Sequence, residues 1–289
     1  MLGLGININK YCGSDSSIYP LDVISGATIA FSFRNLTASW KGNAVTRLRR
    51  ASDNLEQDFL SSEITTSNLL SFYDSSNVHV VKMYDQVGSY DYAQTTASKQ
   101  PVLFTSGGVL NTINSKPAMY FDAGNNNVLI NTSTTETILT STGTFSTIHS
   151  YISGTIWGTR TNSSNNRQFN LALTGLTLVN QAGVVKYILQ SVTPTPSTTN
   201  SLILFADGST PLKSMTDGAD YAVGGGITKD WMAESMLSTD SLQFGTKSDG
   251  SGAERGYGTF YLSEFIYWNT DKYSSRTDLY NTIGPYYTI

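Results

Sequence analysis

One cysteine, Cys12, in 289 residues excludes an intrachain disulfide. Charge is scarce too. Only 14% of residues are Asp, Glu, Lys or Arg, and the net charge is -4. Without an excess of cations the chain cannot neutralise a run of phosphates, so nucleic-acid binding is not expected. Histidine occurs twice, as His79 and His149, each inside a strand-like run. That predicts strand-face or core imidazoles rather than a catalytic base, and with a lone thiol they cannot build an ordinary zinc site. No apolar run approaches the ~18 residues of a membrane span, so no membrane insertion is expected. The start, Met1 to Lys10, lacks a basic leader followed by an apolar core, which predicts synthesis in a cytoplasm without signal-peptide export.

What remains is a neutral, polar, β-rich composition. Hydrophobic residues make up 39% and aromatics 11%, with 17 Tyr and 25 Gly. Such a balance is common in adhesins, lectins and capsid-associated proteins. The length suits one large sandwich. Period-2 alternation begins at Thr28-Ile29-Ala30-Phe31-Ser32-Phe33, and strands recur at Ala44–Leu48, Val78–Tyr84, Ala118–Phe121, Phe145–Ile152, Gln168–Leu173, Val184–Gln190, Ser201–Ala206, Tyr221–Val223, Ser241–Phe244 and Gly258–Trp268. One short helix is expected near Ser67–Phe72, capped by Thr65, Thr66 or Ser67. A second should run from Ser274 to Ile283 and stop at Gly284-Pro285. Val192 to Thr199 is a Pro/Thr-rich connector, either a hairpin loop or a linker.

Residues 1–24 differ from the rest. Leu2, Leu4, Ile6 and Ile8 alternate like a strand awaiting a partner, so this stretch reads as an arm docking on another copy or another subunit, or as a free terminus. Residues 25–289 read as a single domain.

The most distinctive stretch is Arg49-Arg50-Ala51-Ser52-Asp53-Asn54, followed by Met83-Tyr84-Asp85-Gln86-Val87-Gly88. Charges set beside apolar strands are expected to be paired. Arg49, Arg50, Asp53, Asp85 and Gln86 are therefore read as a structural network, with Arg50 or Arg49 bound to Asp85. A direct ligand role is the alternative.

The pattern from Trp40-Lys41-Gly42 through Arg49-Arg50 to Tyr84-Asp85-Gln86 resembles the catalytic domain of arabinofuranosidase B, a concanavalin-like sandwich. It is similar also to the laminin-G-like jelly-roll modules of bacteriophage virion proteins. Gln100-Pro101, Lys116-Pro117-Ala118-Met119-Tyr120-Phe121-Asp122 and Gly258-Thr259-Phe260-Tyr261-Leu262-Ser263-Glu264 continue the likeness. The resemblance implies an all-β, two-sheet jelly roll with a short C-terminal helix. It implies a virion component, a head or tail appendage made in a bacterial cytoplasm. Its partners would be other virion proteins, copies of itself and host-surface glycans.

A retaining glycosidase needs two carboxylates. The arabinofuranosidase pattern has one in a glycine-rich loop, matched here by Asp249, and one in a mid-chain strand. Phe145 to Gly154 carries no Asp or Glu, so a non-catalytic protein is expected. A free sugar-binding module and a glycoside hydrolase are the alternatives. Sugars stack on exposed aromatic faces, and Trp157, Trp231 and Tyr257, with Asp249, are the candidate ligand residues; partial burial beneath loops is the plainer reading for each aromatic. No cofactor is expected. Asp122, Asn125, Asn127 or Asp249 could supply calcium ligands, but their spacing does not define a site.

Overall fold

A computed structural model describes residues 18–131, 142–160, 168–172, 175–179, 185–189, 199–206, 213–216, 219–222, 241–248 and 254–289. The chain enters through a single helical turn, α1 (Pro20–Val23), and strand β1 (Ile29–Ser32). Strands β2 (Ala44–Arg50) and β3 (Glu56–Leu60) form a hairpin, and helix α2 (Thr66–Phe72) leads to β4 (Val78–Met83). Short strands follow: β5 (Tyr92–Ala93), β6 (Val102–Phe104), β7 (Thr112–Ile113), β8 (Lys116–Pro117), β9 (Met119–Phe121) and β10 (Leu129–Asn131). The long β11 (Gly143–Ser153) turns into β12 (Thr155–Arg160). Then come β13 (Gln168–Ala172), β14 (Gly175–Val179), β15 (Val185–Leu189), β16 (Thr199–Ala206), β17 (Lys213–Thr216), β18 (Ala219–Ala222), β19 (Ser241–Phe244), β20 (Lys247–Ser248) and β21 (Glu254–Arg255). The chain closes on β22 (Thr259–Trp268) and helix α3 (Arg276–Tyr287).

The described strands form an all-β jelly roll, one antiparallel sheet curled on itself. One layer runs β3-β2-β4-β6-β9-β22-β11. The other contains β5-β10-β19-β12. Strand β4 belongs to both: Val78 and His79 pair with β6, while Lys82 and Met83 pair with β5. Between the layers lies an aromatic core. Phe31 meets Phe244 edge-on at 5.1 Å and Phe265 face-on at 5.7 Å. Trp157 stacks on Phe145 at 5.3 Å.

A second core lies outside the sheet. Ala30, Ile148, Ile266 and Trp268 face outward from β1, β11 and β22, and α3 covers them with Leu279, Ile283 and Tyr287. The spacing of four residues puts all three on one helix stripe. Leu21 and Ile24 join the same cluster.

The expected elements lie close to where the sequence put them. Thr65 caps α2, its hydroxyl accepting the Asn68 N–H at 3.3 Å. The C-terminal helix differs. It begins at Arg276 after a 3-10 turn and runs through Gly284-Pro285 to Tyr287, where Thr288 turns left-handed with φ 57°. Packing of Leu279, Ile283 and Tyr287 outweighs the N–H that Pro285 lacks. Strand β3 has no counterpart in the sequence reading. Its exposed Glu56, Gln57 and Asp58 hide it, and such charge protects a sheet edge.

Candidate functional site

The expected Arg50–Asp85 and Arg49–Asp85 pairs do not form. Antiparallel register sets Arg50 opposite Val78 and Arg49 opposite His79. Asp85 follows the other end of β4, roughly 20 Å along the strand at ~3.3 Å per residue. Arg50 instead closes its own turn, donating to Asp53 at 2.8 and 2.7 Å and to the Phe72 carbonyl at 3.3 Å. Arg49 donates to Gln100 Oε1 at 2.7 Å and Asn54 Oδ1 at 2.8 Å.

Asp85 takes backbone partners. Its carboxylate accepts the N–H groups of Ala30 at 2.9 Å, Val87 at 3.3 Å and Tyr90 at 3.1 Å. Burial pushes its pKa up, and those amides pull the other way. Gln86 works alongside it. Its Oε1 accepts the Leu36 N–H at 2.7 Å, and its Nε2 donates to the carbonyls of Ser32 and Arg34. The Asp85-Gln86 pair therefore fixes both ends of β1 by satisfying main-chain groups.

Among the described residues the buried ion pair is Arg34–Glu264, which the sequence alone did not assign. Arg34 Nε and Nη2 reach Glu264 at 2.7 and 3.0 Å, a bidentate fork. Ser32 and Tyr287 donate hydroxyls to Glu264 Oε2 at 3.1 and 3.2 Å. Burial alone would lower the Arg34 pKa, but Glu264 more than reverses it. Burial also holds the Tyr287 phenol well above its ordinary value. One signal was legible: Glu264 stands beside Ser263 in an otherwise apolar strand, where a charge demands a partner.

Above this pair is a cavity of about 390 Å³, bounded by Ile18 and Tyr19, Arg34 and Asn35, Ser61, and the α3 residues Asn281, Thr282, Pro285 and Tyr286. The Tyr286 ring lies between Arg34, 4.3 Å from its centroid, and Lys116, 4.4 Å away.

A second surface lies on the outer sheet face at the margin of the area α3 covers, where Tyr261 packs against the edge of that outer core. Tyr120 and Tyr261 are register partners on β9 and β22, with ring centroids 4.9 Å apart. Both are half-buried. The same row continues through Val102 and His79 on one side and Ser150 on the other. Alternation alone places them there, since Phe121 and Phe260 beside them face the core.

The candidate ligand aromatics fare differently. Trp157 is fully buried on β12 against Phe145, so its faces are closed to any sugar. Tyr257 is half-buried in the turn before β22. Trp231 and Asp249 lie outside the described residues, as do the Met1–Lys10 arm and the connector's 192–198. In the loop considered for calcium, Asp122 accepts the N–H of Gly124 and the amide of Asn125, and Asn127 accepts the Asp122 N–H. Its oxygens are thus engaged by the loop's own donors. No group of three or more His, Cys, Asp or Glu gathers among the described residues.

His149, on β11, is fully buried, and burial drives its pKa down to about 4, with a backbone contact at Thr147 opposing. It is neutral at physiological pH.

These features define an all-β jelly-roll sandwich, and solved structures share it. An arabinofuranosidase complexed with arabinofuranosyl-alpha-1,2-xylobiose superposes at a TM-score of 0.63 and 14% identity, over 92% of this chain and 64% of that one. A GH54 a-l-arabinofuranosidase soaked with a cyclic sulfate inhibitor gives 0.59 at 13% identity, over 91% and 64%. The chain therefore spans less than two thirds of those enzymes' length, and at such identity the likeness is one of fold. No protein-family model matches the sequence, and no curated protein matches it.

Proposed function

We propose that the chain is a non-catalytic structural or appendage protein of a bacteriophage particle that contacts host-surface glycans. The observation that carries the non-catalytic part is the state of the two buried carboxylates among the described residues. Asp85 is taken up by main-chain amides, and Glu264 by Arg34, Ser32 and Tyr287. Neither is free to attack an anomeric carbon or to protonate a leaving group. The mid-strand β11, where the arabinofuranosidase pattern carries its first carboxylate, contributes Phe145, Thr147, His149 and Tyr151 instead.

Glycan contact is supported by the half-exposed Tyr120–Tyr261 pair, whose apolar faces and polar edges suit a sugar ring. The virion assignment is supported by the motif likeness to phage jelly-roll modules and by the neutral, Ser/Thr/Asn-rich composition. The test has two arms. A panel of aryl glycosides, arabinofuranosides included, should show no turnover; turnover abolished by Asp249→Asn would overturn the non-catalytic reading. The purified protein should bind host envelope glycans and lose that binding in Tyr120→Ala/Tyr261→Ala, while mass spectrometry of purified particles should find the intact chain. Undiminished binding by the double variant would sink the glycan surface, and absence from particles would sink the virion assignment.

A further inference from the structure

We propose that the cavity above the Arg34–Glu264 pair is a separate binding site for a single neutral sugar ring. The inference stands on the cavity's own geometry and does not require the Tyr120–Tyr261 surface. Its volume, about 390 Å³, falls at the small end of ligand pockets and suits one ring rather than a chain.

Charge decides the class of ligand. Arg34 is the only Lys, Arg, Asp or Glu among the lining residues, and Glu264 neutralises it through a bidentate contact. An anionic sugar would find no spare cation there, and a cationic ligand no carboxylate. The remaining polar groups are amides and hydroxyls: Asn35, Ser61, Asn281, the phenols of Tyr19 and Tyr286, and Thr282, whose hydroxyl donates to the Leu279 carbonyl. Amides offer donor and acceptor side by side, the pattern that vicinal hydroxyls require. Ile18 and Pro285 supply the apolar walls for a ring's C–H face.

A second observation points the same way. Asn35 Oδ1 is buried with no hydrogen-bond partner, an arrangement folded proteins largely avoid. A ligand hydroxyl that draws the amide round gives that oxygen its missing donor. Ser61 and Asn281 are also uncommitted, since their side chains hold no hydrogen bond within the described structure. They can turn to a ligand without disturbing the fold.

The test is ligand-observed saturation-transfer NMR on the full chain. Methyl glycosides of neutral hexoses and pentoses are the probes, with glucuronate and N-acetylneuraminate as charged counterparts. At least one neutral glycoside should bind, and Ser61→Ala/Asn281→Ala should weaken it by about tenfold or more. Circular dichroism checks that the variant is folded, and Arg47→Ala, which removes only an exposed pair with Asp58, should leave the signal unchanged. The proposal is overturned if no neutral glycoside binds, if the double variant binds as the parent does, or if a charged sugar binds more tightly than its neutral analogue. Loss of signal in Tyr120→Ala with retention in the double variant would move the site to the outer sheet face and equally overturn it.

Discussion

Single side chains in this protein act mainly by satisfying backbone. Asp85 answers three N–H groups at once. Asp85→Ala should strand buried donors and cost roughly 3 kcal/mol or more. Asp85→Asn, which keeps one acceptor oxygen, should cost less, and urea titration of the two variants checks the order. His149 gives a pH dependence whose sign follows from its burial. Its folded pKa of about 4 lies below the ordinary value of 6.5. Between these limits the unfolded chain binds a proton that the folded chain refuses. Stability from this residue is therefore full above about pH 6.5 and falls as pH drops towards 4. The loss should amount to about 3 kcal/mol. Asp85, whose pKa is raised, works in the opposite sense above its ordinary value of 3.8. Thermal melts of the parent and His149→Leu must accordingly be compared as a difference. A difference that does not change between pH 7 and pH 4 would refute the assignment.

Among the elements, α3 packs on the outer core and hydrogen-bonds to the Arg34–Glu264 pair through the Tyr287 hydroxyl and the Thr282 carbonyl. Glu264→Gln leaves Arg34 buried without its counter-charge, and a loss of about 3–5 kcal/mol is expected. Arg34→Met/Glu264→Leu should recover part of it, since the desolvation cost of both charges disappears. By contrast Arg47→Ala, which breaks an exposed pair with Asp58, should cost less than about 1 kcal/mol. Denaturant midpoints for these variants would rank them. The corner at which β11 passes from one layer into β12 in the other depends on Gly154. Its φ is +77°, and an added Cβ would run into the Tyr257 carbonyl. Gly154→Ala should lower the melting temperature by several degrees, and no change would mean the turn relaxes freely.

At the scale of the whole molecule, one curled sheet buries an aromatic core inside and lends part of its outer face to α3. The outer area left over holds the Tyr120–Tyr261 pair, and the edge of α3 frames the cavity. The two proposed sugar contacts thus use different parts of one face and can be separated by mutation.

The sequence by itself determined the strands with strong alternation, such as β1, β4, β11 and β22, because period 2 needs only local residues. It determined that Asp85 and Gln86 would be tied into structure, because polar groups beside apolar strands require partners. It did not determine which partners. Arg50 and Asp85 lie at opposite ends of their paired strands, and only the antiparallel register of β2 with β4 shows it. Trp157 likewise stayed a candidate for sugar stacking, beside the plainer reading of partial burial, until its strand was laid against Phe145 and β19. Arg34 and Glu264 are 230 residues apart. Their union, and the cavity above it, exist only once β22 lies beside β1 and α3 folds back over both.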